Sequence, residues 1–165
     1  MLFRSLWDNY PDRIDVPLEG RGRYAYLLLC GSTQNMQSRI ENGRITVTYA
    51  DGSTDVLPLE NPVNWCPVEQ DCYTDEYAFR TAPKRPYRVL FSDGTTSRDL
   101  SLEFLPAAEN GLSSDAVKVT DRIIPGGAAQ ILKMPLHRRR DLKSLTLETL
   151  SNDVVIGLMA ITLEM

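Results

Sequence analysis

Histidine is almost missing from this 165-residue chain: His137 is the only one, and the cysteines number three, Cys30, Cys66 and Cys72. A single imidazole excludes sites that need two or three of them within one chain. It also argues against a Ser-His-Asp triad, because His137 opens His137-Arg138-Arg139-Arg140, whose cations oppose the imidazolium that a general base must form. A basic surplus is lacking too. The 18 Lys+Arg stand against 22 Asp+Glu, a net charge of -4, so no diffuse basic surface awaits nucleic acid or anionic lipid. Long apolar runs are absent: Tyr24 to Cys30 and Val154 to Met159 fall far short of a membrane-spanning helix. The opening, Met1-Leu2-Phe3-Arg4-Ser5-Leu6-Trp7-Asp8, has neither the apolar core nor the small-residue cleavage site of a secretory signal. No helical stripe exceeds two turns, and only Gln34 to Glu41 leaves room for one short helix.

What is present has a period of two. In Gly43-Arg44-Ile45-Thr46-Val47-Thr48-Tyr49 the apolar residues share one face and the polar ones the other, as in a half-buried strand. Asp51-Gly52 then marks a hairpin, with Thr54 to Leu59 as the return strand. Asp93-Gly94 likewise separates Tyr87 to Phe91 from Arg98 to Phe104, and further strands follow at Gln130 to Leu136, Lys143 to Leu150 and Asp153 to Glu164. Many short strands with turn residues between them predict one all-β domain over residues 1–165, a sandwich or barrel with little helix. Asp153 to Glu164 carries Val154, Ile156, Leu158 and Ala160 on one side and Val155, Met159, Ile161 and Leu163 on the other; Tyr24 to Cys30 is also apolar on both sides. An outward sheet face normally turns polar, so something is expected to cover these, a loop of the same chain or a partner.

The connection from Asn61 to Pro86 is the other unusual feature. Connections this long without structure of their own tend to be functional or interfacial. Trp65, Tyr73 and Tyr77 offer flat faces for sugar C–H bonds, and Asn64, Glu69, Gln70, Asp71, Asp75 and Arg80 offer donors and acceptors for hydroxyl pairs. The same mixture suits a wet contact between domains, and a third reading folds Trp65 back as a plug over its own sandwich. Glu69, Asp71 and Asp75 contain enough carboxylates for a glycosidase pair, but acidic residues are common on solvated loops and no catalytic residue is expected. Cys66 and Cys72, six apart, could bridge in an oxidising compartment, although spacing alone does not make their Cβ atoms face each other. Cys30 reads as a small buried hydrophobe. Asp51, Asp71, Asp75 and Asp93 are candidate oxygens for a structural calcium without a dense acidic run to hold it, and no other metal or cofactor is expected. His137 to Arg140 with Lys143 forms the one cationic cluster, a solvated turn or a partner for acidic groups, with phosphate or sulfated glycan as a lesser alternative. Gly20-Arg21-Gly22-Arg23-Tyr24-Ala25 matches a dinucleotide fingerprint in letters only, because it opens a strand rather than a helix.

Val16-Pro17-Leu18-Glu19-Gly20 leading into Tyr24-Ala25-Tyr26-Leu27-Leu28-Leu29, and the closing Met134-Pro135-Leu136, Leu142 to Leu147 and Val154 to Leu163, resemble galactose-binding-like jelly rolls. Asn61-Pro62-Val63-Asn64-Trp65 with Val68-Glu69-Gln70-Asp71 is similar to a C-terminal β-sandwich domain of large uncharacterised Bacteroidetes proteins whose other domains look like glycoside hydrolases. The resemblance implies a jelly-roll sandwich forming the C-terminal part of a larger protein at a periplasmic or cell-surface location. It implies a noncatalytic accessory domain docked on a catalytic module of the same or an associated polypeptide. The alternative is a carbohydrate-binding module using the Trp65–Tyr77 loop. Neither nucleic acid nor membrane insertion is expected.

Overall fold

The computed structural model describes residues 11–33, 37, 39–61, 63–68, 87–97, 126–151 and 153–165. These form nine strands: β1 Arg13–Pro17, β2 Tyr24–Ser32, β3 Glu41–Tyr49, β4 Thr54–Glu60, β5 Tyr87–Leu90, β6 Thr96–Ser97, β7 Ala128–Pro135, β8 Leu142–Thr149 and β9 Val155–Glu164. They build two sheets, one ordered β1-β8-β3-β4 and the other β6-β5-β7-β2-β9, antiparallel throughout. Among the described residues there is no α-helix, and Glu41, placed at the end of a possible helix by the sequence, opens β3. The described residues form a β-sandwich.

The Asp51-Gly52 hairpin forms as the sequence predicts; Asp93-Gly94 also turns a hairpin, but its described return strand is Thr96–Ser97, and the expected strand Arg98 to Phe104 lies outside the described residues. Gly52 and Gly94 take positive φ, 83° and 76°, which a residue with a Cβ adopts only at a cost. Asp51 and Asp93 each accept the amide two residues on, from Ser53 and Thr95 respectively, closing an Asx turn. These two carboxylates therefore belong to hairpins of different sheets rather than to one cation site; Asp71 and Asp75 lie outside the described residues.

Alternation buries one side of each central strand between the sheets. Ala25, Leu27 and Leu29 of β2 meet Ile45, Val47 and Tyr49 of β3, Leu132 and Met134 of β7, and Leu145 and Leu147 of β8 in a single core. β9 departs from the expected two-sided pattern. Leu28 pairs Ala160 while Leu29 pairs Leu158, so Met159 is an extra residue, a β-bulge. A one-residue insertion flips every later side chain to the other face. Ile156 and Leu158 on one side of the bulge and Ile161 and Leu163 on the other therefore all pack on the same core. The face expected to join Val155, Met159, Ile161 and Leu163 does not exist. β2 is different: inward Ala25, Leu27 and Leu29 are fully buried, yet Tyr24, Tyr26, Leu28 and Cys30 line its outward side half-buried.

Candidate functional site

Residue 61 and residues 63–68 of the long connection fold back on the sandwich. Trp65 has no exposed surface and belongs to the core. Of the three readings of this aromatic residue, its burial fits self-packing. Its indole Nε1–H is buried without a hydrogen-bond partner among the described residues. Gly31 makes room for it, since a Cβ there would lie 2.7 Å from Trp65 Cη2 and 1.9 Å from the Val155 carbonyl oxygen.

Two buried polar side chains fasten this segment. Gln130 accepts from the Cys66 amide and donates to the Asn64 carbonyl. Arg88, 2% exposed, donates to the carbonyls of Pro67, Val68, Ala128 and Ala129 and contacts Cys66 Sγ. Each of the three guanidinium nitrogens thus meets an acceptor without water. Asn64 is part of the same knot: its side chain accepts from the Glu60 amide and donates to the Pro58 carbonyl. Cys66 is disulfide-bonded and Cys30 is a free thiol whose partial burial pushes its pKa up, the opposite of an activated cysteine. Glu69, Gln70, Asp71, Cys72, Tyr73, Asp75, Tyr77 and Arg80 lie outside the described residues.

The two outer faces of the sandwich are unlike. The β1-β8-β3-β4 sheet turns outward Arg13, Asp15, Thr146, Glu148, Arg44 and Thr46, tied by the ion pairs Arg13–Asp15, Arg13–Glu148 and Arg44–Glu41. The other sheet turns outward one apolar and aromatic row and a mixed row beside it. One row runs across four strands as Ala160, Leu28, Ile131 and Tyr87, and the row beside it as Thr162, Tyr26 and Lys133. Tyr87 is 46% exposed and Met159, thrust out by the bulge, 54%. Lys133 Nζ lies 3.7 Å from the centroid of the Tyr24 ring and 5.2 Å from that of Tyr26, whose hydroxyl donates to Glu164 at 2.7 Å. The Tyr26 hydroxyl raises the Lys133 pKa, with Glu164 adding a smaller push, so the ammonium stays charged. Sequence reasoning drew attention to the outward side of β2 and, although it expected strands at β5 and β7, missed their outward residues. Their contribution depends on strand order, which periodicity within one strand does not contain.

The third feature is the end of the sandwich where the β1–β2, β3–β4 and β7–β8 turns meet. Leu142 N–H donates to Gly20 O, Ala50 N–H to Asp141 O, and Leu136 N–H to Arg23 O. Arg21 forks onto Asp141 at 2.8 and 3.0 Å, and Arg140 pairs with Asp51 at 3.3 Å. His137 is exposed; its amide donates to the Tyr49 hydroxyl, and the two rings meet edge to face at 6.4 Å. Tyr49 in turn donates to Asp55, and burial followed by that carboxylate pushes its pKa up to about 12. Among the described residues no group of three or more His, Cys, Asp or Glu is arranged to hold a metal ion, and no helix is long and apolar enough to cross a membrane.

No family model, curated protein or solved structure matches this chain.

Proposed function

We propose that this chain is a noncatalytic accessory β-sandwich that docks through the outer face of the β6-β5-β7-β2-β9 sheet onto a folded catalytic module. The observation that supports the reading is the difference between the two outer faces: one carries ion pairs and hydroxyls, the other an apolar row from Ala160 to Tyr87 with Met159 beside it. A half-exposed apolar sheet face rimmed by Lys133 and Glu164 has the composition of an interface core with a polar margin. The jelly-roll, galactose-binding-like type of the sandwich, and a glycoside-hydrolase-like module as the partner at a periplasmic or cell-surface location, are the parts of the proposal that rest on the sequence resemblance. The carbohydrate-binding alternative has less support, because buried Trp65 offers no stacking surface and the Tyr24 ring is already faced by an ammonium.

Hydroxyl-radical footprinting of the chain, alone and with a glycoside-hydrolase-like catalytic module, tests this. Tyr87 and Met159 lose reactivity in the complex, and the double variant Tyr87→Lys/Met159→Lys abolishes association. Val56→Lys, on the exposed part of the opposite sheet, leaves association intact. Unchanged labelling, or equal losses from both variants, overturns the proposal.

A further inference from the structure

We infer that the basic end of the sandwich is a binding site for a small organic anion, whose carboxylate or sulfate oxygens are held by the guanidiniums of Arg23 and Arg138. A cavity of about 330 Å³ there is lined by Arg21, Gly22, Arg23, Arg138 and Met165. That volume falls at the small end of ligand pockets and exceeds what a bare inorganic ion fills. Three guanidiniums line it, and the carboxylate bonded into their group is Asp141, which occupies the fork of Arg21. Among the described residues the Arg138 side chain makes no ion pair or hydrogen bond, and the Arg23 guanidinium has only its stacking contact, 5.0 Å from the Tyr24 ring centroid. The Glu164 carboxylate is drawn to Tyr26 on the sheet face, while its backbone carbonyl accepts the Arg23 amide. Among the described residues these two cations thus have no side-chain carboxylate partner at the cavity.

The position is built by close packing. Gly22 is buried at its floor, where a Cβ would stand 3.3 Å from Leu136 Cδ1 and 3.4 Å from the Glu164 carbonyl oxygen. Hydrogen bonds from the amides of Arg23 to Glu164 and of Leu136 to Arg23 fix the backbone on both sides. A planar guanidinium meets two oxygens of a carboxylate or sulfate at once, so two such groups at a fixed backbone separation select an oxyanion rather than any negative charge. This site lies at the end of the molecule and borders the docking face at Tyr24 and Glu164.

Amide chemical shifts followed during titration with glucuronate, succinate, inorganic sulfate and glucose test the inference. Glucuronate and succinate give saturable shifts confined to residues 20–23 and 136–141, at affinities of about a millimolar, and glucose gives none. Arg138→Ala weakens organic-anion binding about tenfold or more, whereas Arg139→Ala, the same charge change on the neighbouring residue outside the cavity, weakens it less than about twofold. Arg138→Lys, which keeps the charge and loses the fork, recovers only part of the affinity. Arg138 is exposed on a turn, so both variants keep the fold, and their amide spectra check that. Absence of saturable shifts with either organic anion, binding of sulfate alone, equal binding of glucose, or equal losses from the Arg138 and Arg139 variants overturns the inference. None of these outcomes bears on the footprint of Tyr87 and Met159.

Discussion

A tryptophan in a polar loop carries no direction in its sequence. Asn64-Trp65-Cys66-Pro67 reads equally as a surface platform or as a plug, because no alternation surrounds it to say which side is wet. The decision is made by residues far away in the chain: Gln130, 64 residues on, and Arg88 supply the hydrogen bonds that let this backbone be buried. Arg88 was illegible for a related reason. Tyr87, Val89 and Phe91 make the more apolar side of that stretch, yet β5 turns Arg88 and Leu90 inward. Trp65→Ala should cost about 3–5 kcal/mol in urea unfolding, as expected for a large buried ring, whereas a surface contact residue would cost less than about 0.5 kcal/mol. Tyr49 gives a second test. Its pKa is raised from an ordinary 10.0 to about 12, so the folded state holds the phenolic proton more tightly than the unfolded chain. That stabilisation is complete below the unfolded pKa and disappears as pH rises through the folded one. Between about pH 10 and 12 the native protein should therefore lose stability more steeply than Tyr49→Phe, measured by denaturant midpoints at each pH.

At the scale of elements, hairpins were legible and the closing strand was not. Asp51-Gly52 and Asp93-Gly94 combine a carboxylate that accepts a nearby amide with a glycine free to take positive φ, a local chemistry that sequence displays directly. β9 hides its single apolar face because the Met159 bulge breaks the period of two on which the reading depended. β1 was missed as a strand: it is only five residues long, ends in Pro17 and turns charged residues outward, as an edge strand does. The junction of β2, β9 and the Trp65 segment is tight at Gly31. Gly31→Ala should destabilise by at least about 2 kcal/mol, because its Cβ would overlap the Val155 carbonyl. Gly52→Ala, with open space around the new Cβ and only its φ of 83° to strain, should cost about 1 kcal/mol. Thermal unfolding of the two variants side by side checks the order.

For the whole molecule, the sandwich class follows from period-two strands and turn chemistry, while the contrast between its outer faces appears only once strand order is known. The charged features cluster at turns and on the polar sheet, and they set the acid limit of stability. Arg13 holds Asp15 below the usual carboxylate range, as Arg44 does Glu41 and Arg21 does Asp141; hydrogen bonds from Ser53 and Thr95 do the same for Asp51 and Asp93. Each depressed pKa contributes stability that is present above the unfolded value and lost as pH falls through the folded one. Unfolding free energy should thus stay level from neutrality down to about pH 5 and decline below about pH 4, by circular dichroism in graded urea. β9 ends the order of its sheet, so one of its edges has no neighbouring strand among the described residues. A long, nearly uncharged ribbon in that position invites end-to-end growth into polymers. The kink made by Met159 keeps a second molecule's backbone from staying in step along all ten residues, so the same insertion that gathers four side chains into the interior also guards the protein against runaway assembly.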